Sequence, residues 1–165
     1  LPDAARLRPG QAWTERARPE PLVTGTIAVL AATASAAAAV VGVTTLLSRR
    51  HYDAVLACET NPESAGQLGV EPQTAADFLR AAPADVDQII ANPPRAGFGA
   101  EVCELLAARS RPGLRLNIMS CHPVSLRRDL DRLAEHYEIT SIAAFETLPQ
   151  TAHVELVCRL VGRTT

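Results

Sequence analysis

Apolar runs alternate with amphipathic segments along most of the chain, and this pattern predicts alternating strands and helices. The runs that predict strands lie at residues 39–43, 54–59, 86–91, 114–119, 137–145 and 153–161, with a short strand near Val70. Helical periodicity or helix-starting residues mark the segments at 20–35, 45–51, from 61 onward, 74–82, 100–110 and 124–136. The last helix is predicted to be amphipathic, because Leu126, Leu130 and Leu133 lie on one face.

This order of elements predicts an α/β fold. Alternating strands and helices are typical of a mostly parallel sheet with helices on both faces, and the runs above predict seven strands. The last two predicted strands are adjacent in the sequence, and we expect them to form an antiparallel pair at the C-terminus. Residues 1–19, rich in arginine and proline, predict an irregular arm ahead of a single domain at residues 20–165.

Composition fits one globular domain and does not by itself indicate a partner. The chain has 165 residues, 47% of them hydrophobic, and this is enough for one domain with a full core. Its formal net charge is −2, whereas a protein that binds RNA on its own usually carries a basic surplus. Residues 21–48 contain no charged residue, but alanine, threonine and serine predominate, as in a buried segment. We expect a cytoplasmic protein without a membrane segment.

The cysteine pattern predicts no metal site. Cys58, Cys103, Cys121 and Cys158 are widely spaced, without a Cys-x-x-Cys pair or a flanking series of histidines at metal-ligand spacing. We expect three of them to be small core residues in a reducing compartment.

Polar residues follow several of the predicted strands. Glu59, Asn92 and Cys121 each stand at the carboxyl end of one, where ligands gather in parallel sheets. A carboxylate further along, Glu155, lies in the last predicted strand. A cysteine and a carboxylate can act as nucleophile and base.

Three short stretches in fixed order resemble the uracil-5-methyltransferases of tRNA and ribosomal RNA. They are Asn92-Pro93-Pro94-Arg95-Ala96-Gly97, Ser120-Cys121-His122-Pro123 and Leu148-Pro149-Gln150-Thr151-Ala152-His153-Val154-Glu155. The resemblance covers roughly residues 54–162 and implies the Rossmann-like methyltransferase fold. It also implies that S-adenosylmethionine is the cofactor, that no metal takes part, and that a methyl group is transferred to carbon 5 of uracil in RNA.

The resemblance implies roles for five residues of the three stretches. Cys121 would be the nucleophile that adds to carbon 6 of uracil, and Glu155 the base that removes the proton from carbon 5. Asn92, Arg95 and His122 would bind the substrate. His122 stands where the family usually has asparagine, and it could either act on the thiolate through a positive charge or replace one hydrogen-bonding group.

The resemblance is less complete for the residues that would bind the cofactor. Glu59 would accept hydrogen bonds from the cofactor ribose, Asp77 would lie near the adenine, and Gly42 would belong to the cofactor-binding segment formed by the first predicted strand and its loop. The family carries an Asp-x-x-x-Gly-x-Gly turn there, because glycine lets the backbone approach the methionine part of the cofactor. The corresponding segment of this chain, residues 40–47, has one glycine and no acid. We therefore expect weak cofactor binding, unless residues 20–48 or a second chain supply the missing contacts.

Two other functions remain compatible with the sequence, because the iron–sulfur cysteines and the small RNA-binding barrel of some family members have no counterpart in these 165 residues. Cys121 and Glu155 could act on a small pyrimidine or another conjugated substrate without a methyl donor. Alternatively, the chain could be a catalytically idle subunit that keeps the fold and binds a partner chain or a second copy of itself.

Overall fold

The computed structural model describes residues 26–31, 52–146 and 153–164. Within these residues, six strands form one sheet: β1 (Thr26–Ala31), β2 (Ala54–Cys58), β3 (Gln88–Asn92), β4 (Arg115–Ser120), β5 (Tyr137–Phe145) and β6 (Glu155–Gly162). Four helices accompany them: α1 (Pro62–Leu68), α2 (Ala75–Ala81), α3 (Gly99–Ala108) and α4 (Pro123–Leu133).

The sheet is mixed, and its parallel part brings four strand ends together. The strand order is β2-β1-β3-β4-β6-β5. The first four strands in this order are parallel, whereas β6 is antiparallel to both of its neighbours. The carboxyl ends of β2, β1, β3 and β4 therefore lie at one edge, which we call the carboxyl edge, and β6 starts there. The predicted parallel sheet with a C-terminal antiparallel strand is confirmed in this arrangement.

Local capping signals set the boundaries of the first two helices. The Asn61 side chain accepts a hydrogen bond from the Ser64 amide at 3.0 Å, and Pro62 occupies the first turn, where its missing N–H costs nothing. Gly69 ends α1 in the left-handed conformation, at a φ of 69°. Thr74 caps α2 by accepting from the Asp77 amide at 3.1 Å.

The core lies between the sheet and the helices α2, α3 and α4. Helix α3 contacts both α2 and α4. The face of α4 predicted from its leucine spacing is confirmed, since Leu126, Leu130 and Leu133 are all buried. Each buried leucine contributes about 1.5–3 kcal/mol to folding by the removal of apolar surface from water. Alternate residues of β3 and β4 complete this layer: Ile89, Ala91, Leu116 and Ile118.

The predicted helix at residues 20–35 is wrong for Thr26–Ala31, which forms β1 at the centre of the parallel part of the sheet. A central strand of a parallel sheet often appears in the sequence as a continuous apolar run, and periodicity cannot distinguish such a run from a helix. The alanines that follow it, which favour helices, reinforced the wrong assignment. The predicted strand at 39–43 and helix at 45–51 lie outside the described residues.

The predicted strand near Val70 is also wrong. The six strands of the described residues are β1 and the five other predicted strands that lie in those ranges. The Val70 amide donates to the Ala65 carbonyl at 3.1 Å, as part of the end of α1. Two residues on, Pro72 has no N–H to give to a neighbouring strand. The Gln73 amide instead donates to the Glu59 carbonyl at 3.0 Å and ties this loop to the end of β2.

Across the three described ranges, none of the helices combines the length and the apolar character needed to cross a membrane. Most of the uncharged segment at 21–48 lies outside those ranges.

Candidate active site

The strand register brings the predicted catalytic residues to the carboxyl edge. Glu59 follows β2, Asn92 ends β3 and Cys121 follows β4, so all three lie at this edge as predicted. The antiparallel pairing of β6 with β4 places Leu156 opposite Ser120. One residue beyond this pair, Glu155 begins β6 beside the position of Cys121. Both predicted catalytic residues therefore come from neighbouring strands at the same edge.

Glu59 is fully buried, and only one of its carboxylate oxygens has a partner among the described residues. Oε1 accepts hydrogen bonds from the amides of Thr60 at 2.7 Å and of Asn61 at 2.9 Å. Oε2 is buried without a partner in the part of the chain that the structure describes. A buried carboxylate oxygen without a hydrogen bond is costly. Its free lone pairs suit a ligand that donates hydroxyl or amino hydrogens.

A cavity of about 250 Å³ opens beside Glu59 at the carboxyl edge. It is bounded by the residue after Glu59, the start of α2, the loop after β3 and the start of α3. Its walls are mostly apolar, and the lining residues are Thr60, Thr74, Ala75, Ala76, Asn92, Pro93, Pro94, Gly97, Phe98, Glu101 and Val102. An apolar cavity with a few polar groups is typical of a site for a small molecule or cofactor.

Asp77, predicted to lie near the adenine, is exposed and does not line this cavity. Its Oδ2 accepts from the Thr74 hydroxyl at 2.7 Å, and its Oδ1 accepts from Arg80 Nη1 at 3.0 Å. Arg80 also pairs with Glu101, and these two carboxylates, Glu101 first, raise the pKa of the guanidinium. Asp77 thus contacts the cavity through Thr74, which lines it. The carboxylate that lines the cavity is that of Glu101.

Sequence reasoning missed most of the lining. Thr74 and Glu101 carried helix-starting signals, a capping threonine and an acid in a first turn, which explain a helix equally well without any ligand. Phe98 follows the recognised Asn-Pro-Pro-Arg-Ala-Gly stretch directly, and that adjacency is the signal that could have found it.

Cys121 is the accessible cysteine of the four. Cys58, Cys103 and Cys158 are buried, as predicted for three core cysteines, whereas Cys121 is partly exposed. Burial, followed by the nearby Asp129 charge, raises the pKa of Cys103 to about 11. Burial likewise raises the pKa of Cys158 to about 11, so both remain protonated thiols at neutral pH.

We expect iodoacetamide at pH 8 to modify Cys121 well before the other three cysteines. The thiolate is the reacting species, and a buried thiol with a raised pKa offers little thiolate and little access. Peptide mapping by mass spectrometry after short exposures measures the order of labelling. Modification of Cys103 or Cys158 at the same rate as Cys121 in folded protein would contradict the burial described here.

His122 begins α4 as its N-cap residue. Its Nδ1 accepts a hydrogen bond from the Ser125 amide at 3.3 Å and lies 3.1 Å from the Ser125 hydroxyl. Its own amide donates to the Ser120 hydroxyl at 3.2 Å. A ring nitrogen that accepts a hydrogen bond carries no proton, so the imidazole acts here as an asparagine side chain would. Of the two predicted roles, this geometry supports the hydrogen-bonding replacement.

Replacing His122 by asparagine is expected to keep the stability of the protein, while alanine should lower it by about 1 kcal/mol, because alanine offers no acceptor to the first turn of α4. Urea unfolding of the two variants and the parent protein measures the difference. Equal stability of the alanine and asparagine variants would show that the cap contributes nothing.

The remaining predicted site residues are placed as follows. Arg95 is exposed in the turn that the Gly97 amide closes on the Pro94 carbonyl at 2.8 Å. Gly42 lies outside the described residues. No group of histidine, cysteine and acidic side chains suited to a metal ion is found within the described ranges.

Sequence comparison finds that the chain is similar to parts of RNA methyltransferases. It is 41% identical over 90 residues to an uncharacterized RNA methyltransferase of Thermotoga maritima, which covers 54% of this chain and 20% of that protein. It is 34% identical over 103 residues to the 23S rRNA (uracil(747)-C(5))-methyltransferase RlmC of Edwardsiella ictaluri, which covers 59% of this chain and 26% of that protein. The chain thus spans about a fifth to a quarter of the length of these relatives.

Solved structures share the fold. The tRNA (uracil-54, C5)-methyltransferase of Pyrococcus abyssi, in complex with S-adenosyl-L-homocysteine, has a TM-score of 0.59 and 24% identity, over 84% of this chain and 34% of that chain. The N-methyltransferase NodS of Bradyrhizobium japonicum, in complex with the same compound, has a TM-score of 0.62 and 15% identity, over 86% of this chain and 80% of that chain. These likenesses show a Rossmann-like methyltransferase fold.

A sequence model of the tRNA (uracil-5-)-methyltransferase family matches residues 79–162, which is just over half of the chain. The match includes Asn92, Cys121 and Glu155 at the carboxyl edge, and it does not favour the two other functions considered above. The chain belongs to the tRNA (uracil-5-)-methyltransferase family.

Proposed function

We propose that this chain forms a catalytic domain that methylates carbon 5 of uracil in RNA with S-adenosylmethionine as the methyl donor. The observation that carries the proposal is the position of Cys121 and Glu155, which come from neighbouring strands at the carboxyl edge that also holds Glu59 and the apolar cavity. Nucleophile, base and a cavity for a nucleoside are the three parts that this reaction requires.

Cys121 and Glu155 divide the reaction between them. Carbon 5 of uracil is a poor nucleophile until the Cys121 sulfur bonds to carbon 6, which moves an electron pair toward carbon 5. Carbon 5 can then accept a methyl group, which S-adenosylmethionine, when bound, would supply as an electrophile. Glu155 removes the proton from carbon 5, the electron pair restores the ring double bond, and the bond between carbon 6 and sulfur breaks.

Asn92 and Arg95 are the residues proposed to orient the uracil and the RNA backbone. Asn92 ends β3 between the cavity and the position of Cys121, so its amide can pair with the edge of a base. Arg95 is exposed on the next turn, and its guanidinium matches a phosphate group. His122 is the third residue predicted to bind the substrate; its Nδ1 caps α4, so it would bind through its other ring nitrogen, Nε2.

The residues present fit the nucleoside part of S-adenosylmethionine. The free Oε2 of Glu59 is an acceptor for ribose hydroxyls, and the apolar cavity, which the next residue, Thr60, lines, suits the adenine ring. When bound there, the cofactor would supply an electrophilic methyl group. The ten residues after β1 contain no glycine, so this segment offers less close backbone contact to the methionine part of the cofactor. The fit thus supports binding through the nucleoside, with a weak overall affinity.

The proposal is tested with an unmodified RNA transcript, the protein and S-adenosylmethionine. Digestion of the RNA to nucleosides and mass spectrometry should detect 5-methyluridine, with the methyl mass on the base. Protein without the cofactor is the control. Methylation of another nucleoside would contradict the proposed substrate. If compounds that compete for the ribose hydrogen bonds did not slow the reaction, the proposed nucleoside site would be wrong.

A further inference from the structure

Asp129 is a buried carboxylate that the proposed reaction does not use. It lies in α4, about two helical turns beyond Cys121, and is 1% exposed. Its Oδ2 accepts a hydrogen bond from the Phe98 amide at 2.7 Å. Its Oδ1 lies 3.5 Å from Arg132 Nη1 and 3.8 Å from Arg128 Nε. Both oxygens have partners, which accounts for a charge buried in this position.

The same helix makes a second contact with the loop after β3. Arg128 Nη2 donates to the Ala96 carbonyl, one residue before the glycine of the recognised stretch. Gly97 has a φ of 83°, and a Cβ at this position would overlap Asp129 Oδ2. The loop and α4 therefore approach so closely that glycine is required at residue 97.

These contacts join two parts of the proposed active site. The loop forms one wall of the cofactor cavity through Pro93, Pro94, Gly97 and Phe98. Helix α4 begins two residues after Cys121. Asp129 does not line the cavity. It connects the loop that forms the cavity wall to the helix that follows Cys121.

We propose that Asp129, assisted by Arg128, is a positioning residue that holds the cavity wall at a fixed place relative to Cys121. A methyl donor bound in that cavity would then be held at a fixed place relative to the carbon that Cys121 activates. This inference rests on the proposed function. A small displacement of a bound reactant is enough to slow a reaction by about 100-fold, so a change at Asp129 acts on the reaction without touching the substrate.

The first test compares Asp129→Asn with Asp131→Asn, an exposed aspartate of the same helix that pairs with Arg127 at 2.8 Å. We expect Asp129→Asn to lower kcat/KM for S-adenosylmethionine by about 10- to 100-fold and Asp131→Asn to leave it unchanged. The rate of Cys121 alkylation should stay within about twofold of the parent rate in both variants, because the cysteine itself keeps its surroundings.

This combination separates positioning from a general loss of structure. If Asp129→Asn lowered thermal stability, alkylation selectivity and activity together, Asp129 would be a structural residue only. If it kept kcat/KM within about threefold of the parent value, the positioning role would be wrong.

A second test needs no turnover. Affinity for S-adenosylhomocysteine is measured by ligand-observed NMR for Gly97→Ala, Asp129→Ala and the double variant. Alanine at residue 97 collides with the Asp129 carboxylate, so removing that carboxylate should recover part of the affinity that Gly97→Ala loses. Strictly additive losses would overturn the inference. Absence of binding and of methyl transfer in the parent protein would instead overturn the proposed function.

Discussion

Replacement of Cys121 by alanine is expected to abolish methyl transfer to uracil, with a loss on the order of 10⁴- to 10⁶-fold in kcat. Without the sulfur atom carbon 6 has no nucleophile, and carbon 5 never becomes reactive enough to take the methyl group. The rate of 5-methyluridine formation in an RNA transcript measures the loss. Cys158→Ala is the matched control, because it removes a thiol from the buried part of β6 and should keep the activity.

Glu155→Gln should stop the same reaction at a later step. The glutamine can no longer take the proton from carbon 5, so the methylated RNA stays bonded to Cys121 and a covalent complex accumulates. Denaturing electrophoresis detects this complex, which Cys121→Ala should not form. Release of product by Glu155→Gln at the parent rate would show that another group is the base.

Replacement of Glu59 by glutamine is expected to weaken the binding of S-adenosylmethionine by roughly 10- to 150-fold, which corresponds to the loss of one hydrogen bond to a charged group. Glutamine keeps one oxygen for the amides of Thr60 and Asn61, but it can present an N–H₂ group where Oε2 of Glu59 has no partner. Ligand-observed NMR measures the affinity, and it also covers the weak range expected without a glycine-rich turn.

Two comparisons make this result specific. Glu63→Gln changes an exposed carboxylate in the first turn of α1 and should leave the affinity unchanged. The free energy of unfolding of Glu59→Gln without cofactor should be equal to or above that of the parent, since a buried, half-satisfied charge has been removed. An unchanged affinity in Glu59→Gln would show that the cofactor does not contact this carboxylate.

The parallel part of the fold was predictable where strands are flanked by strong signals. Pro123 and the leucines of α4 fix that helix, and the apolar run before Asn92 fixes β3. The first strand was not predictable, because Thr26–Ala31 is an apolar run beside an alanine-rich segment, and the same letters suit a helix. The correct assignment depends on its pairing with β2 and β3, which is a tertiary interaction.

The candidate site was predictable from motifs at strand ends, and its supporting contacts were not. Glu59, Asn92 and Cys121 could be expected at one edge, because the carboxyl ends of parallel strands meet there. Nothing local in the sequence indicates that Asp129 reaches the amide of Phe98, since the two lie 31 residues apart on different elements. The capping role of His122 was similarly hidden, because histidine is an uncommon N-cap residue.

Covalent trapping with RNA that contains 5-fluorouracil tests the central claim most directly. Carbon 5 of this base carries fluorine, which Glu155 cannot remove as a proton, so the methylated base should remain bonded to the enzyme. After nuclease digestion, mass spectrometry should find a fluorinated, methylated nucleotide on the peptide that contains Cys121, and only when S-adenosylmethionine is present. An adduct that persists in Cys121→Ala, or no adduct with protein that methylates ordinary uracil, would contradict the account.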